Sequence, residues 1–226
     1  MFLRPSVAIA LAAVLLAGCA HKKHARRVPP PPAPAASVAP KPGYTETGVA
    51  SWYGHPYHGR PAANGEIYDM EKLTAAHRTL PFDTWLRVVN LDNSKTVEVR
   101  INDRGPFVEG RIIDLSHAAA RAIGMIGPGI ASVRIEVIRM PEYVPPGVFA
   151  VQVGAFRVRA NAERLRAEMQ SRYGSARLVQ RADSPDLWRV LVGSEATEEG
   201  ANGLAERIRK ELGEKSAAFV VRVDTV

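Results

Sequence analysis

Alternating apolar and polar positions mark a run of short strands between Tyr44 and Ile138. "GVASWYG" at 48–54 reads as one strand. "LRVVNL" at 86–91 and "TVEVRIND" at 96–103 flank the turn residues Asp92, Asn93 and Ser94 as the arms of a β-hairpin. "RIIDLS" at 111–116 is a further strand, "HAAARAIG" at 117–124 a short helix closed by Gly124, and "ASVRIEVI" at 131–138 a last alternating strand. Many short strands, one modest helix and abundant Gly predict a small β-barrel.

A Pro-rich joint, "MPEYVPPG" at 140–147, precedes a different pattern. "VFAVQVGAF" alternates as a strand, and Val158, Ala162, Leu165, Met169 and Tyr173 then fall on one helical stripe. "SARLVQR" and "LWRVLVG" read as strands with "SPD" at 184–186 as their turn. A second helix carries Ala201, Leu204, Ala205, Ile208 and Leu212, and "AFVVRV" closes the chain. The order β-α-β-β-α-β predicts an α+β, ferredoxin-like unit whose two helices pack on one face of the sheet, leaving the other face free to bind. Val151 and Val153 then face the helices, while Gln152 and Arg189 point to the open face.

The N-terminus changes the picture of charge and location. An apolar run from Val7 to Ala17 is too short to span a bilayer comfortably and reads as a signal peptide. "LAGC" at 16–19 resembles a bacterial lipobox, which makes Cys19, the only cysteine, the lipidated first residue of the mature chain. A single Cys leaves no intrachain disulfide and no thiolate zinc cluster. Ala20, in place of an Asp, implies export to the periplasmic face of the outer membrane. The Pro/Ala tract from Val28 to Gly43 is a semi-rigid spacer. Removing Arg4 and the four basic residues of "HKKHARR" from the net charge of +7 leaves about +2 for the rest. The basic excess therefore sits beside the anchor, where it suits anionic head groups or simple solvation better than nucleic acid.

The barrel segment carries an unusual set of polar residues on or beside its predicted loops: Glu66 in "ANGE", His77 in "TAAH", Asp103 and Arg104 in "NDRGP", and Asp114 in "IIDLS". Aromatics in "SWYGHPYHG", Trp52 among them, offer faces for sugar rings. Cleaving a glycosidic bond requires a proton donor at the leaving oxygen and stabilisation of an oxocarbenium-like centre, and Glu66 and Asp103 could supply both. Each also has a plainer reading: Glu66 follows an Asn-Gly turn, and Asp114 could cap the helix that follows it. His55, His58 and His77 match no tight metal-ligand spacing. Neither Ser51 nor Ser116 sits in a G-x-S-x-G nucleophile pattern.

Taken together, "GVASWYG", "HGRPAANGEIYD", "LTAAHRTLPF", "VRINDRGPF" and "RIIDLS" resemble the rare lipoprotein A family, and "VQVGAF" with its element order is similar to a SPOR domain. The resemblance implies a double-psi β-barrel at 44–140 and a SPOR domain at 147–226 joined by a linker at 141–146, after a signal peptide at 1–18 and a lipidated basic, Pro-rich tether at 19–43. It also implies a septal lytic transglycosylase that cleaves the bond between N-acetylmuramic acid and N-acetylglucosamine without water, prefers glycan strands stripped of peptide stems, and uses no cofactor or metal.

Glu66, His77 and Asp103 fall on the family's active-site motifs. Either carboxyl could be the acid/base; related barrel transglycosylases use an Asp, which favours Asp103, with Glu66 assisting and His77 orienting a carboxylate or binding substrate. Arg104 is expected to turn away from Asp103, toward Asp114. Asp114, Trp52, Arg104, Gln152 and Arg189 are the expected substrate contacts. Denuded glycan, the membrane through Cys19 and septal division proteins are the candidate partners. The rival reading is an expansin-like protein that binds polysaccharide without cleaving it; an RNA-binding role lacks the required stacked aromatics.

Overall fold

The computed structural model describes residues 40–181, 184–213 and 216–224; the signal segment, Cys19 and the tether up to residue 39 lie outside the described residues. The first part is a closed barrel of six strands: β1 (Thr45–Tyr53), β2 (Thr74–Ala76), β3 (Trp85–Asn90), β4 (Thr96–Asp103), β5 (Arg111–Ser116) and β6 (Ile130–Arg139). Their order around the barrel is β1-β5-β2-β4-β3-β6. Two neighbouring pairs, β1–β5 and β2–β4, run parallel, and the others antiparallel. This is the expected double-psi barrel, with the β3–β4 hairpin where the turn signals put it. Alternation fills the interior with Leu86, Val88, Val99, Ile101, Ile113, Leu115, Val133 and Ile135, all fully buried. Each such side chain contributes about 1.5–3 kcal/mol.

Two local details differ from the sequence reading. "TAA" was expected in a loop, yet it forms β2, only three residues long and bonded on both sides. No periodicity is visible in three residues, and both flanking strands are distant in sequence. "SPD" was expected as a turn; Ser184 instead opens a long strand and already pairs with Arg181.

Helix α1 (His117–Ala122) follows β5 directly. Ser116, fully buried, makes this junction possible: its hydroxyl accepts from the Ala119 amide at 3.2 Å and donates to the Lys72 carbonyl at 2.6 Å. The cap so expected of Asp114 is supplied by Ser116, which frees Asp114 for other contacts. Gly124, at φ 71°, then reverses the chain behind the helix.

The second part contains β7 (Gly147–Phe156), α2 (Arg159–Tyr173), β8 (Ala176–Arg181), β9 (Ser184–Glu195), α3 (Glu198–Leu212) and β10 (Phe219–Asp224). Its sheet is antiparallel in the order β10-β7-β9-β8. Ala162 and Met169 of α2 and Ala201, Leu204, Ala205 and Ile208 of α3 pack with Val151, Val190 and Val192 on one face. Helix α3 starts well, with the Thr197 side chain accepting from Gly200 N–H, Glu198 and Glu199 in the first turn, and Arg209 and Lys210 in the last.

The opposite face of this sheet was expected to be open. It is covered instead: Gln152 and Arg189 are only 4% and 5% exposed. Ala150, Leu191 and Val221 on that face form an apolar cluster with Phe107, which belongs to the barrel.

Replacing Ser116 with Ala removes the α1 cap and orphans the Lys72 carbonyl. The expected loss is about 1–2 kcal/mol, read as a lower urea midpoint at unchanged slope.

Candidate active site

Strand order alone assembles the site. β5 and β4 flank β2, and Ala76 of β2 is the register partner of both Asp114 and Asp103. On the far side of β5, Ser51 of β1 is the partner of Asp114. A lateral row Ser51–Asp114–Ala76–Asp103 therefore crosses four strands, with the two carboxylates separated by two strand spacings, about 10 Å between Cα atoms. Ala76 lies between them, and its methyl group leaves room for a ligand. Asp114 points away from the core because Ile113 and Leu115 on either side of it point in.

The two carboxylates have different surroundings. Ser51 donates its hydroxyl proton to Asp114 Oδ1 at 2.6 Å, and Arg111 Nη2 lies 3.5 Å from Oδ2. Burial nevertheless dominates and pushes the Asp114 carboxyl above the ordinary Asp value, against the opposing pull of Ser51 and Arg111. Asp103 Oδ1 accepts from the amides of Ala63 at 3.0 Å and Arg104 at 2.8 Å, and from Arg181 Nη2 at 3.3 Å. Hydrogen bonds of this kind to a carboxylate oxygen favour its charged form.

Between them runs the turn at Gly105, whose φ is 151° and whose peptide with Pro106 is cis. A Cβ at Gly105 would lie 3.9 Å from Asp114 Oδ2, so this turn carries backbone directly past the second carboxylate. Arg78 Nη1 holds the following segment by donating to the Pro106 and Arg111 carbonyls at 3.3 and 3.0 Å.

Both carboxylates line one cleft of about 400 Å³, which also includes Trp52, Tyr53, Tyr57 and Tyr68. Tyr53 and Tyr68 stack with centroids 4.4 Å apart, and Tyr57 meets Tyr53 edge-on at 6.1 Å. Trp52 leans on the His117 ring at 5.4 Å. The cleft thus combines aromatic rings with two carboxylates and the guanidinium groups of Arg60, Arg104, Arg111 and Arg189, which suits a sugar chain with apolar ring faces and hydroxyl edges.

Of the other predicted site residues, Arg104 also lines this cleft, whereas Glu66 and His77 do not. Glu66 forms a two-pronged ion pair with Arg100, at 2.7 and 3.0 Å, and the Arg100 hydrogen bonds hold its carboxyl below the ordinary Glu value. It does not line the cleft; its turn contributes instead through the Ala63 amide on Asp103. His77 is buried, with Nδ1 accepting from the Thr79 and Leu80 amides at 3.2 and 3.1 Å and Nε2 beside Glu46 Oε2 at 3.2 Å. Two donors on Nδ1 place the ring hydrogen on Nε2, which faces the Glu46 carboxylate; His77 thus orients a carboxylate, that of Glu46, and with it lines a separate cavity of about 250 Å³ rather than the cleft of Asp103 and Asp114.

Arg104 does turn away from Asp103, but toward Asp224 rather than Asp114. Its Nη2 lies 2.6 Å from Asp224 Oδ2, Nη1 donates to the His77 and Leu80 carbonyls, and the guanidinium rests 3.7 Å over the Phe82 ring. Gln152 does not line the cleft, whereas Arg189 does, together with Ser184 and Leu187 from β9. Sequence reasoning missed Ser51, Ala76 and Tyr68 as site residues; only the register across β1, β5, β2 and β4 reveals the first two. Among the described residues no group of three His, Cys, Asp or Glu side chains is placed to hold a metal ion.

Residues 45–135 match the lytic transglycolase family and residues 145–222 the SPOR domain family. A protein of Campylobacter jejuni named endolytic peptidoglycan transglycosylase RlpA is 38% identical over 205 residues, covering 80% of this chain and 73% of that protein. The chain belongs to the rare lipoprotein A (RlpA) family. A Vibrio cholerae RlpA of the same name is 57% identical over 104 residues, which are 46% of this chain and 40% of that protein. The chain thus spans well under two thirds of the length of that RlpA relative. Among solved structures, an expansin from Clavibacter michiganensis is 23% identical at a TM-score of 0.37, over 50% of this chain and 59% of the other.

The position of His77 in this RlpA-family barrel has a consequence for stability. Burial holds its pKa below the free value of 6.5. The unfolded chain therefore takes up a proton below about pH 6.5 that the folded chain resists, and stability falls as pH drops through that value. Thermal unfolding of the parent at pH 7.5 and 5.5 should show the loss. His77→Ala should cost about 2–3 kcal/mol at pH 7.5 by orphaning two amides, and should flatten the His-dependent part of the pH response.

Proposed function

We propose that this chain is a lytic transglycosylase acting on peptidoglycan glycan, with Asp114 as acid and base and Asp103 as the fixed negative charge. The observation that carries the reading is the pair of carboxylates on either side of Ala76, one raised above the ordinary Asp value by burial and the other accepting from the barrel's own Ala63 and Arg104 amides. Two titratable groups pushed apart by their environments are what acid–base cleavage of a glycoside requires. The names of the relatives and the SPOR match support the same substrate.

In this mechanism the Asp114 carboxyl gives its proton to the oxygen that links C1 of N-acetylmuramic acid to C4 of N-acetylglucosamine. The C1–O bond breaks, positive charge grows at C1, and the Asp103 carboxylate stabilises it. Asp114, now a carboxylate, takes the proton of the C6 hydroxyl as O6 bonds to C1. The product is a 1,6-anhydro sugar, water is not consumed, and Asp114 ends protonated as it began. This moves the acid/base role from Asp103 to Asp114 and assigns Glu66 to holding Arg100 and the loop that clamps Asp103.

A preference for strands without peptide stems, which the family resemblance implies, belongs to the same reading, and the SPOR match supports a glycan substrate for the second domain. The lipobox-like segment ending at Cys19 and the spacer after it support anchoring at the outer membrane, and the second domain supports delivery to septal wall.

The test is to incubate the chain starting at Ala20 with stem-free glycan and analyse products by mass spectrometry. The parent chain should yield 1,6-anhydro ends, and their absence with folded protein would leave only the binding role of an expansin-like protein. Asp114→Asn should lower kcat by about 10²–10⁴-fold. Asp103→Asn should lower it by about 10²–10³-fold, yet leave the alkaline limb of the pH profile in place. Because the acid works only when protonated, activity is present below the raised Asp114 pKa and lost as pH rises through it. An ordinary Asp would already be spent above about pH 4.

A further inference from the structure

The covered face of the second domain's sheet is the feature that the proposed reaction does not use. It presents polar Gln152 and Arg189 on an apolar floor of Ala150, Leu191 and Val221. An amide and a guanidinium for hydroxyl and acyl oxygens, above aliphatic side chains for the ring C–H faces, is a surface suited to a sugar chain. In the structure this surface is occupied by the barrel's own cleft segment, through Phe107.

The same contact reaches the reaction centre. Arg181 of β8 lies 3.3 Å from Asp103 Oδ1, and Arg189 lines the cleft that holds both carboxylates. Asp224 of β10 ties Arg104 on one side and Arg222 on the other, at 2.6 and 2.7 Å, and the Arg222 amide donates to the Arg78 carbonyl at 3.1 Å. The sheet therefore covers the cleft, and the cleft covers the sheet.

The character of the contact bears on whether it can separate. Among the described residues, ion pairs, a backbone hydrogen bond and the Phe219 ring beside Phe107 and Arg78 surround a small apolar cluster, a mixed make-up typical of contacts between domains that move rather than of a permanent core. Each charged group has water as an alternative partner once the contact opens. A glycan strand offers the sheet a replacement for Phe107.

We propose that the cleft-facing sheet surface of the second domain has two mutually exclusive occupants, the barrel's Asp103–Phe107 segment and a stem-free glycan strand, so that glycan binding to the sheet uncovers the cleft. The proposal rests on the reading of the protein as acting on glycan. It makes the second domain a switch as well as a tether: away from denuded strands the cleft is capped, and on them both surfaces face the same strand. Arg181 adds a donor to Asp103 in the capped form; in the uncapped form the Ala63 and Arg104 amides, both from the barrel, still hold the carboxylate.

The experiment measures the chain from Ala20 to Val226 by small-angle scattering and by calorimetric binding to purified stem-free glycan strands. The radius of gyration of the parent should rise when glycan is added. Asp224→Lys, which sets a cation against Arg104, should be expanded without glycan and bind it about fivefold to tenfold more tightly, the factor expected when a capped majority no longer competes. Arg181→Glu, which sets a carboxylate against Asp103, should behave alike and covers the case in which the first variant does not fold. The proposal is overturned if glycan binds the parent with no change in radius, or if the variants open without any gain in affinity. Release of 1,6-anhydro products by the parent in the same samples would show that the proposed activity stands even then.

Discussion

A three-residue strand paired on both sides is the constraint on which the site depends. β2 is too short to stand alone, and it is held because β4 runs parallel along one edge and β5 antiparallel along the other. That double pairing brings Asp103 and Asp114 to the same rung, with only the Ala76 methyl group between them. A one-residue slip of β2 would move Ala76 off that rung and separate the pair. The barrel core, anchored by Ile101, Ala75 and Leu115 on the inward side, resists such a slip because the same residues that place the carboxylates outward bury the aliphatic ones inward.

Much of the polar network around this rung serves to hold it rather than to react. Arg100 fastens Glu66 and Asp83, the Glu66 turn delivers the Ala63 amide to Asp103, and Arg78 fixes the segment after Pro106. His77 secures the chain beyond β2 through two amides and Glu46. Burial draws the Arg104 guanidinium down to about 10, while Asp224, two carbonyls and the Phe82 ring keep it compensated inside the protein. Motif residues are thus divided between a small reacting set and a larger supporting set, and mutating a member of either would reduce activity.

Local pattern made most of the elements legible. Alternation marks β1, β3–β6, β7 and β10, and helical stripes mark α2 and α3, because those segments bury one face over several turns or rungs. β2 escaped because three residues carry no period, and the start of β9 escaped because Ser-Pro-Asp has turn chemistry that strand pairing overrode. The carboxylates were legible as candidates, but their roles were not. Which one is buried and which one receives donors depends on residues 63, 51 and 181, far away in the chain. Gln152 and Arg189 were placed on the correct face by alternation, but alternation within one sheet cannot show that another domain covers that face.

Burial raises the Asp114 carboxyl on a rung whose other carboxylate, Asp103, is held by backbone amides. A site-resolved NMR titration of the Asp103 and Asp114 side-chain carboxyl carbons in the folded, glycan-free chain tests this most directly. Asp114 should titrate above the ordinary Asp range and at a higher pH than Asp103. The reverse order, or two indistinguishable midpoints at ordinary values, would contradict it.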